Sequence, residues 1–179
     1  MKLPKIFVTV GSTHFKFDRL LQSIDQTLIK EKDDNYVIAQ IGQSNHRWNY
    51  KKIRLINYLH PNTMISHIKK ADKIISHGGP ISIYQITKYG KNLPLIIPRL
   101  AKFNEHVDNH QLYFTDFQRK QLSTNLRKYF AIDENIEKYI ENYLKEKPKK
   151  NILNKYLFLD SGKTNVIQNL DKFIQKPNK

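Results

Sequence analysis

Short apolar runs alternate with helical patterns through the first two thirds of the chain, and this alternation constrains the fold more than any other feature. The runs cover residues 5–10, 36–41, 53–59, 73–76 and 95–98, and most of them stop at a glycine or a proline. Between them, apolar residues recur at the spacing of amphipathic helices over 17–29, 62–71 and 81–89, with another helix predicted to begin near Glu105. Short buried strands joined by helices predict a parallel sheet with helices on both faces.

An α/β fold of this Rossmann-like kind binds its ligands at the carboxyl ends of the strands. The loops that follow the predicted strands are therefore expected to surround a ligand site. These loops cover residues 11–16, 42–50, 58–62, 77–80 and 98–108.

The chain is expected to comprise a Rossmann-like domain over 1–118 and a helical C-terminal extension over 119–179. In the extension, apolar and aromatic residues recur at helical spacing over 132–144 and again over 166–174, on either side of Pro148. Such stripes can pack on the chain's own sheet, or they can meet a partner subunit or a membrane surface. The sequence leaves these alternatives open.

The formal net charge is +15, from 31 Lys and Arg against 16 Asp and Glu. A basic balance favours acidic partners such as nucleic acid or an anionic membrane. However, 25 of the 31 cations are Lys and they are spread along the chain, whereas nucleic-acid readers favour Arg. An ordinary solvated surface or an anionic membrane face is therefore favoured over a nucleic-acid partner.

The chain has no cysteine, which excludes disulfides, thiolate metal sites and a cysteine nucleophile. The first apolar run is too short for a signal peptide or a membrane span. We therefore expect a cytoplasmic protein, and a place at the inner face of the cell membrane fits the surface charge.

The clearest local signal is the turn His77-Gly78-Gly79-Pro80, which joins a predicted strand to a predicted helix. Glycines allow a close approach of the backbone, and Pro80 suits a first helical turn. The free N–H groups and the dipole of such a helix suit a phosphate, although the motif is equally compatible with a tight turn that binds nothing. The stretch Gly11-Ser12-Thr13-His14 has a similar but weaker character.

Two other motifs are weak. Ser161-Gly162-Lys163-Thr164 resembles the end of a P-loop, but Leu157 stands where that loop needs its first glycine. His106 and His110 share a helical spacing that suits a metal, but a third ligand at familiar spacing is missing. We therefore expect neither a metal site nor a cofactor.

The stretch 105–111 (EHVDNHQ) is dense in groups that bond sugar hydroxyls, although the start of a capped, acidic helix would also use one or two of them. No catalytic Ser/His/Asp set and no pair of carboxylates can be assembled from spacing. The sequence thus indicates a place for phosphate and polyol without an evident base.

These motifs resemble the donor-binding half of inverting UDP-sugar glycosyltransferases of the GT-B fold. Within Ala71–Phe114, the "SHGGP" turn, the "IPR" strand end and the "EHV-N-HQ" stretch occur in the order found there, and Phe7–Leu20 matches the start. The similarity spans residues 5–118. It extends to the peptidoglycan and dolichol-pathway UDP-GlcNAc transferases and to small subunits of two-chain capsule and exopolysaccharide transferases.

The resemblance implies a role for each matching position. The phosphate side of the cleft would be lined by Gly11, Ser12, Thr13 and His14. The uracil ring would be held by Tyr58, Leu59 and His60. The diphosphate would meet the turn at His77, Gly78, Gly79 and Ser82. The sugar would be read by Asn109, His110 and Gln111, beside Glu105 and His106. Gln85 stands where the peptidoglycan enzyme bonds the ribose with Glu.

The resemblance also implies a reaction and its partners. A hexose such as galactose or GlcNAc would pass from UDP to a lipid-linked saccharide with inversion, and no metal would be needed. The general base would belong to a membrane-anchored, acceptor-binding subunit; His14 is the one candidate in this chain. The alternatives are a nucleotide-sugar-binding subunit without turnover and a basic nucleic-acid-binding domain.

Overall fold

A computed structural model describes residues 5–157. Five strands run through Ile6–Thr9 (β1), Val37–Gln40 (β2), Ile53–Ile56 (β3), Lys73–His77 (β4) and Leu95–Ile97 (β5). Five α-helices span Asp18–Lys30 (α1), Pro61–Lys70 (α2), Pro80–Tyr89 (α3), His110–Lys120 (α4) and Ile136–Lys145 (α5). Short 3₁₀ turns cover Ala101–Phe103, Arg127–Tyr129 and Leu153–Lys155.

The five strands form one sheet in the order β3-β2-β1-β4-β5, and every neighbouring pair is parallel. In the centre, Val8 lies beside Ala39 on one side and Ile75 on the other. The predicted Rossmann-like α/β fold is therefore confirmed. The strand order reverses between β1 and β4, and ligands in such sheets bind at this reversal.

Both faces of the sheet are buried along β1, β2, β4 and β5, as the apolar runs predict, whereas the edge strand β3 is partly exposed. Successive strand residues point to opposite faces, and Ile6 and Val8 pack into a large core with α1 while Phe7 packs into a smaller one. Ile68 of α2 and Ile86 of α3 cover the smaller core. The helices thus form two layers, and the carboxyl ends of the strands open between them.

The first stripe of the C-terminal extension packs on the chain's own sheet domain. Ile140 is fully buried in the large core, and α5 lies against α1 and β5. The hydroxyl of Tyr143 donates to the Leu93 carbonyl at 2.8 Å and accepts from the Ile74 N–H at 2.9 Å. Residues 119–157 therefore share a core with the sheet. The second stripe, over 166–174, and the motif at 161–164 lie outside the described residues.

The helix expected near Glu105 begins five residues later, at His110. Asn104 adopts a left-handed conformation, with φ of 55°. The Glu105 carboxylate accepts from the Leu100 N–H at 2.9 Å, and the Asn109 side chain accepts from the Ala101 N–H at 2.9 Å. These bonds hold 105–109 as a loop. Between residues 5 and 157, no helix has the length and apolarity needed to cross a bilayer.

Candidate functional site

A cavity of about 360 Å³ opens at the carboxyl edge of the sheet, where the strand order reverses. Its walls come from the loops after β1, β3, β4 and β5. The lining residues are Gly11, Ser12, Thr13, Gln40, Leu59, Pro61, Met64, His77, Gly79, Pro80, Ile81, Ser82, Gln85, His106, His110 and Gln111. Two larger hollows, of about 670 and 660 Å³, flank α5 and residues 132–135. Neither hollow is lined by the loops after β1 and β4, where the strand order reverses.

The N-terminus of α3 faces this cavity. Gly79 is the residue before the helix, Pro80 is its first residue, and no side chain caps this end. Pro80, Ile81 and Ser82 all line the cavity. Because the first-turn N–H groups of a helix have no partner within the helix, this end carries partial positive charge and favours an anion.

Gly11 and Gly79 flank the imidazole of His77, and neither position has room for a side chain. A Cβ at Gly79 would lie 2.4 Å from His77 Nε2, and a Cβ at Gly11 would lie 2.6 Å from the same atom. Gly11 also has φ of +82°, a conformation that disfavours other residues. The loop after β1 and the loop after β4 thus meet through one histidine ring.

His77 is neutral in the folded protein. Its burial, together with the nearby Arg99, lowers its pKa from the ordinary 6.5 to about 3. Its Nδ1 lies 3.4 Å from the Thr9 carbonyl oxygen, and only an N–H can bond to a carbonyl. The ring therefore adds no positive charge to the cavity, and it acts as a spacer between the two glycines.

A buried arginine ties two walls of the cavity together. Arg99 has no solvent exposure, and its guanidinium donates to the carbonyls of Val10 and Phe15, each at 2.6 Å, and of Glu105 at 3.1 Å. Burial lowers the pKa of Arg99 to about 10 and Glu105 opposes that shift, so the group stays charged. It fixes the loop after β1 against the loop after β5.

The Glu105 carboxylate is engaged in the scaffold. Arg19 donates to its two oxygens at 2.7 and 2.8 Å, and the second oxygen also accepts from the Leu100 N–H. Such a bidentate pair fixes geometry as well as charge. Glu105 is 3% exposed and does not line the cavity.

The wall opposite α3 carries His106, His110 and Gln111. The ring of His106 stacks on Phe15, with centroids 5.0 Å apart, and meets His110 edge-on at 4.3 Å. Burial, and then His110, lower the pKa of His106. Ligand atoms of His106, Asp108 and His110 lie within 4.8 Å of one another, so these three residues could hold a metal ion.

At the remaining end, Leu59, Met64, Gln85 and Gln40 line the cavity. Gln40 is buried, and its amide donates to the Gly11 carbonyl at 2.8 Å. Sequence reasoning missed Gln40, as it missed Arg19 and Arg99. Gln40 is the last residue of β2, so its position at a strand end was the signal that could have found it.

The structure brings eleven of the predicted site residues together around the cavity. They are Gly11, Ser12, Thr13, Leu59, His77, Gly79, Ser82, Gln85, His106, His110 and Gln111. The hydroxyl of Thr13 is buried without a partner. An unsatisfied hydroxyl is costly, and Thr13 lines the cavity.

The other six predicted residues do not line the cavity. They are His14, Tyr58, His60, Gly78, Glu105 and Asn109. The His60 side chain caps α2. Gly78 faces Thr115 and Pro98, because a Cβ there would lie 2.6 Å from Thr115 Oγ1. The Asn109 side chain accepts a hydrogen bond from the Ala101 N–H. His14 is exposed, and its ring lies beside that of Phe15.

The lining combines polar and apolar groups and includes no side chain with a permanent charge among the described residues. Within the described residues, the cavity is lined by neither a carboxylate nor a lysine or arginine. A carboxylate would repel a diphosphate, whereas helix N–H groups and hydroxyls accommodate one. The arrangement suits a ligand with an anionic middle and polar ends.

Comparison with known proteins agrees with this geometry. Residues 5–170 match the glycosyltransferase family 28 C-terminal domain. No curated protein matches the chain. Since the family match covers most of the 179 residues, the chain belongs to glycosyltransferase family 28, as a donor-binding C-terminal half of that family.

Proposed function

We propose that this chain binds a UDP-sugar in the cavity at the carboxyl edge of the sheet and transfers its hexose, with inversion, to a lipid-linked saccharide. The observation that carries the proposal is the uncapped start of α3 directly after Gly79, in a cavity lined by no carboxylate among the described residues. The family match supports glycosyl transfer in general. The sugar, the acceptor and a role in capsule or exopolysaccharide synthesis belong to the proposal.

The diphosphate lies over Gly79 and the first turn of α3. The N–H groups of that turn and the Ser82 hydroxyl donate to its oxygens, and Ser12 and Thr13 close the opposite side. Both residues line the cavity, which supports this placement. Charge that develops on the leaving diphosphate is stabilised by these fixed donors.

The nucleoside occupies the end lined by Leu59, Met64 and Gln85. Apolar contacts from Leu59 and Met64 suit one face of a uracil ring, and Gln85 can bond the ribose hydroxyls. The hexose then extends toward His110 and Gln111 at the start of α4. Glu105 and Asn109 support this wall through their bonds to Arg19 and Ala101.

In the transfer step, the acceptor oxygen forms a bond to the anomeric carbon while the bond from that carbon to the diphosphate breaks. The electron pair leaves with UDP. The acceptor proton passes to a base, which we assign to the partner subunit, because His14 is exposed and outside the cavity lining.

The partner is a membrane-anchored subunit that binds the acceptor and faces the open side of the cavity. The stripe on α5 is engaged by the chain's own core. Exposed apolar side chains instead lie at the cavity rim: Ile81 and Val107 are each 73% exposed. Together with the lysine-rich surface, this supports a peripheral place at the inner face of the cell membrane.

The proposal is tested by calorimetric titration with UDP and UDP-sugars, followed by transfer assays with and without the partner. We expect micromolar to millimolar binding of UDP and transfer only when both chains are present. Absence of UDP binding would overturn the proposal. Binding without transfer in the complete complex would favour a nucleotide-sugar-binding subunit that has no turnover.

A further inference from the structure

The lysines and arginines are spread along the chain, whereas the acids are not. Residues 35–104 contain 11 Lys and Arg but a single acid, Asp72, which gives these 70 residues a formal charge of +10. The other 109 residues contain 20 Lys and Arg and 15 Asp and Glu, which gives +5. Asp72 is already shared by Lys5 and Lys91. Most of the net positive charge therefore comes from the elements between β2 and the 3₁₀ turn after β5.

Four of these cations lie on the outer surface of α2 and α3, on the side of the smaller core. We call this surface the α2–α3 face, and its exposed cations are Arg54, Lys69, Lys70 and Lys88. The ammonium groups of Lys69 and Lys88 lie 5.3 and 5.6 Å from the centroid of the Tyr89 ring. Burial, and then the charges of Lys70 and Arg54, lower the pKa of His67, so these two cations lie near the same helix.

Helix dipoles account for only part of this pattern. The last turn of a helix favours cations, and the lysines of the α2–α3 face lie in such turns. The same dipole favours acids in the first turn, as Asp18 of α1 and Glu137 of α5 illustrate, but neither α2 nor α3 contains an Asp or a Glu. On the side of the large core, Lys145 of α5 pairs with Glu31 and Glu141. The α2–α3 face therefore differs by its lack of acids, which a helix dipole does not produce.

We propose that the α2–α3 face docks directly on an anionic lipid bilayer. Separate ammonium groups spread over a helical surface suit the dispersed charges of such a bilayer. Lys88 also lies 5.4 Å from the ring centroid of Tyr84, and tyrosines are enriched where proteins meet lipid headgroups. Ile65, half-buried one turn before Lys69, adds an apolar group on the same side of α2. Three of the four cations are Lys, whereas nucleic-acid readers favour Arg.

Docking of this face brings the cavity to the membrane surface. Pro61 and Met64 of α2 and Ser82 and Gln85 of α3 line the cavity, and the lysines lie toward the other end of the same two helices. A bilayer along both helices therefore lies beside the cavity mouth, where a lipid-linked acceptor presents its saccharide. This consequence rests on the proposed function, whereas the docking itself does not.

The test uses the full chain, purified without a partner, and measures its sedimentation with lipid vesicles. One set of vesicles is pure phosphatidylcholine, and the other contains about 30% phosphatidylglycerol, an anionic lipid. We expect the chain to bind the anionic vesicles and not the neutral ones. Binding should fall at least about tenfold when NaCl is raised from about 0.1 M to about 0.5 M, because salt screens exposed charges.

Lys69→Gln/Lys70→Gln/Lys88→Gln removes three charges from the α2–α3 face. It should weaken binding to the anionic vesicles at least about tenfold, since each lysine near such a surface contributes roughly fivefold. None of the three lysines lines the cavity, so calorimetric titration should show an unchanged affinity for UDP. Thermal unfolding shows independently that the variant is folded.

The matched control removes the same number of charges elsewhere. Lys120→Gln/Lys138→Gln/Lys145→Gln acts at exposed positions of α4 and α5, which are helices that pack into the large core. Exposed charges more than about 10 Å apart are largely screened at about 0.1 M salt, so this variant should bind the anionic vesicles within about twofold of the unaltered chain.

The inference is overturned if the unaltered chain binds neither kind of vesicle or binds both equally, or if the two triple variants weaken binding equally. It is also overturned if the lysines of the face are needed to bind a DNA duplex and not vesicles, which would assign the face to nucleic acid. None of these results affects UDP binding by the unaltered chain, so the proposed function stands. Vesicle docking without any UDP binding would instead refute the proposed function and leave the docking intact.

Discussion

The two ends of the cavity differ in their polar groups, which come from the backbone at one end and from side chains at the other. At the end where we propose the diphosphate, the cavity meets the uncapped backbone N–H groups at the start of α3, and Gly11 and Gly79 have no room for a side chain. At the end where we propose the hexose, the cavity is lined by the side chains of His110 and Gln111, which contact the Asp108 carboxylate and the Arg99 backbone N–H respectively.

This difference predicts how each end fails. A backbone-built site depends on close approach, so one added methyl group can close it. A wall of side chains loses one hydrogen bond at a time, each contributing about 0.5–1.5 kcal/mol. A single substitution at the phosphate end should therefore abolish ligand binding, whereas a single substitution at the hexose end should only weaken it.

The largest effect is expected from Gly79→Val. A Cβ at this position would lie 2.4 Å from His77 Nε2, so the turn must move and UDP binding should be lost. The measurement is calorimetric titration with UDP, with thermal unfolding to show that the fold remains. Unchanged UDP affinity would contradict the assignment of the diphosphate to this turn.

Two double variants test whether steric room or backbone conformation requires glycine at positions 79 and 11. Gly79 has an ordinary φ of −71°, so the added truncation His77→Ala should restore part of the UDP binding lost by Gly79→Ala. Gly11 has φ of +82°, and the same truncation should not rescue Gly11→Ala. Equal rescue at both positions would mean that space alone governs the phosphate end.

The next largest effect concerns the link between the two ends. Arg99→Met leaves the carbonyls of Val10, Phe15 and Glu105 without their donor, and we expect a loss of about 3–5 kcal/mol in the free energy of unfolding. Urea unfolding measures it. Arg47→Met, at an exposed arginine, should stay within about 0.5 kcal/mol, and equal effects would show that Arg99 does not join the walls.

The contrast also explains what could be read from the sequence. The strands were predictable because buried strands leave continuous apolar runs, and the tight turn after β4 was predictable because glycines mark a close approach directly. Phosphate binding at that turn stays a prediction. That His106, His110 and Gln111 line the cavity could be expected from the stretch 105–111 and from the resemblance, and their role toward a sugar stays a prediction. The contact between Asp108 and His110 could not be expected, since Asp108 looks like any exposed acid until it is found against His110.

Long-range partners account for most of what sequence reasoning missed. Glu105 was expected to face the ligand, but its carboxylate is paired with Arg19 instead. Because Arg19 lies 86 residues away in the sequence, no local pattern could predict this pair. The helix α4 was placed too early for a related reason: Glu105 and Asn109 bind backbone groups at Leu100 and Ala101, which keeps the intervening loop out of the helix.

Acid should weaken the phosphate end through His77. The folded protein holds the pKa of His77 near 3, against an ordinary 6.5, so between these values the unfolded chain binds more protons and stability falls as pH falls. The slope is about 1.4 kcal/mol per pH unit, or about 2 kcal/mol between pH 7 and pH 5. Urea unfolding at the two pH values measures the loss.

Other histidines contribute to acid sensitivity, so the test compares His77→Asn with the unaltered protein. The loss between pH 7 and pH 5 should shrink by about 2 kcal/mol in the variant. If His77→Asn does not fold, the imidazole C2 proton of His77 in the unaltered protein should show no titration from pH 8 to pH 4. A midpoint near 6.5 would contradict the buried, neutral ring.

The smallest effect is expected from Gln111→Ala, and it tests the gradual behaviour of the hexose end. Removing one neutral hydrogen bond should weaken UDP-sugar binding by about 0.5–1.5 kcal/mol, or about 2- to 13-fold, while UDP binding stays nearly constant. Gln121→Ala, at the exposed end of the same helix, should alter neither. Equal losses for UDP and UDP-sugar would place Gln111 away from the hexose, and complete loss of both would mean that this wall, like the glycine turn, acts through the backbone it supports.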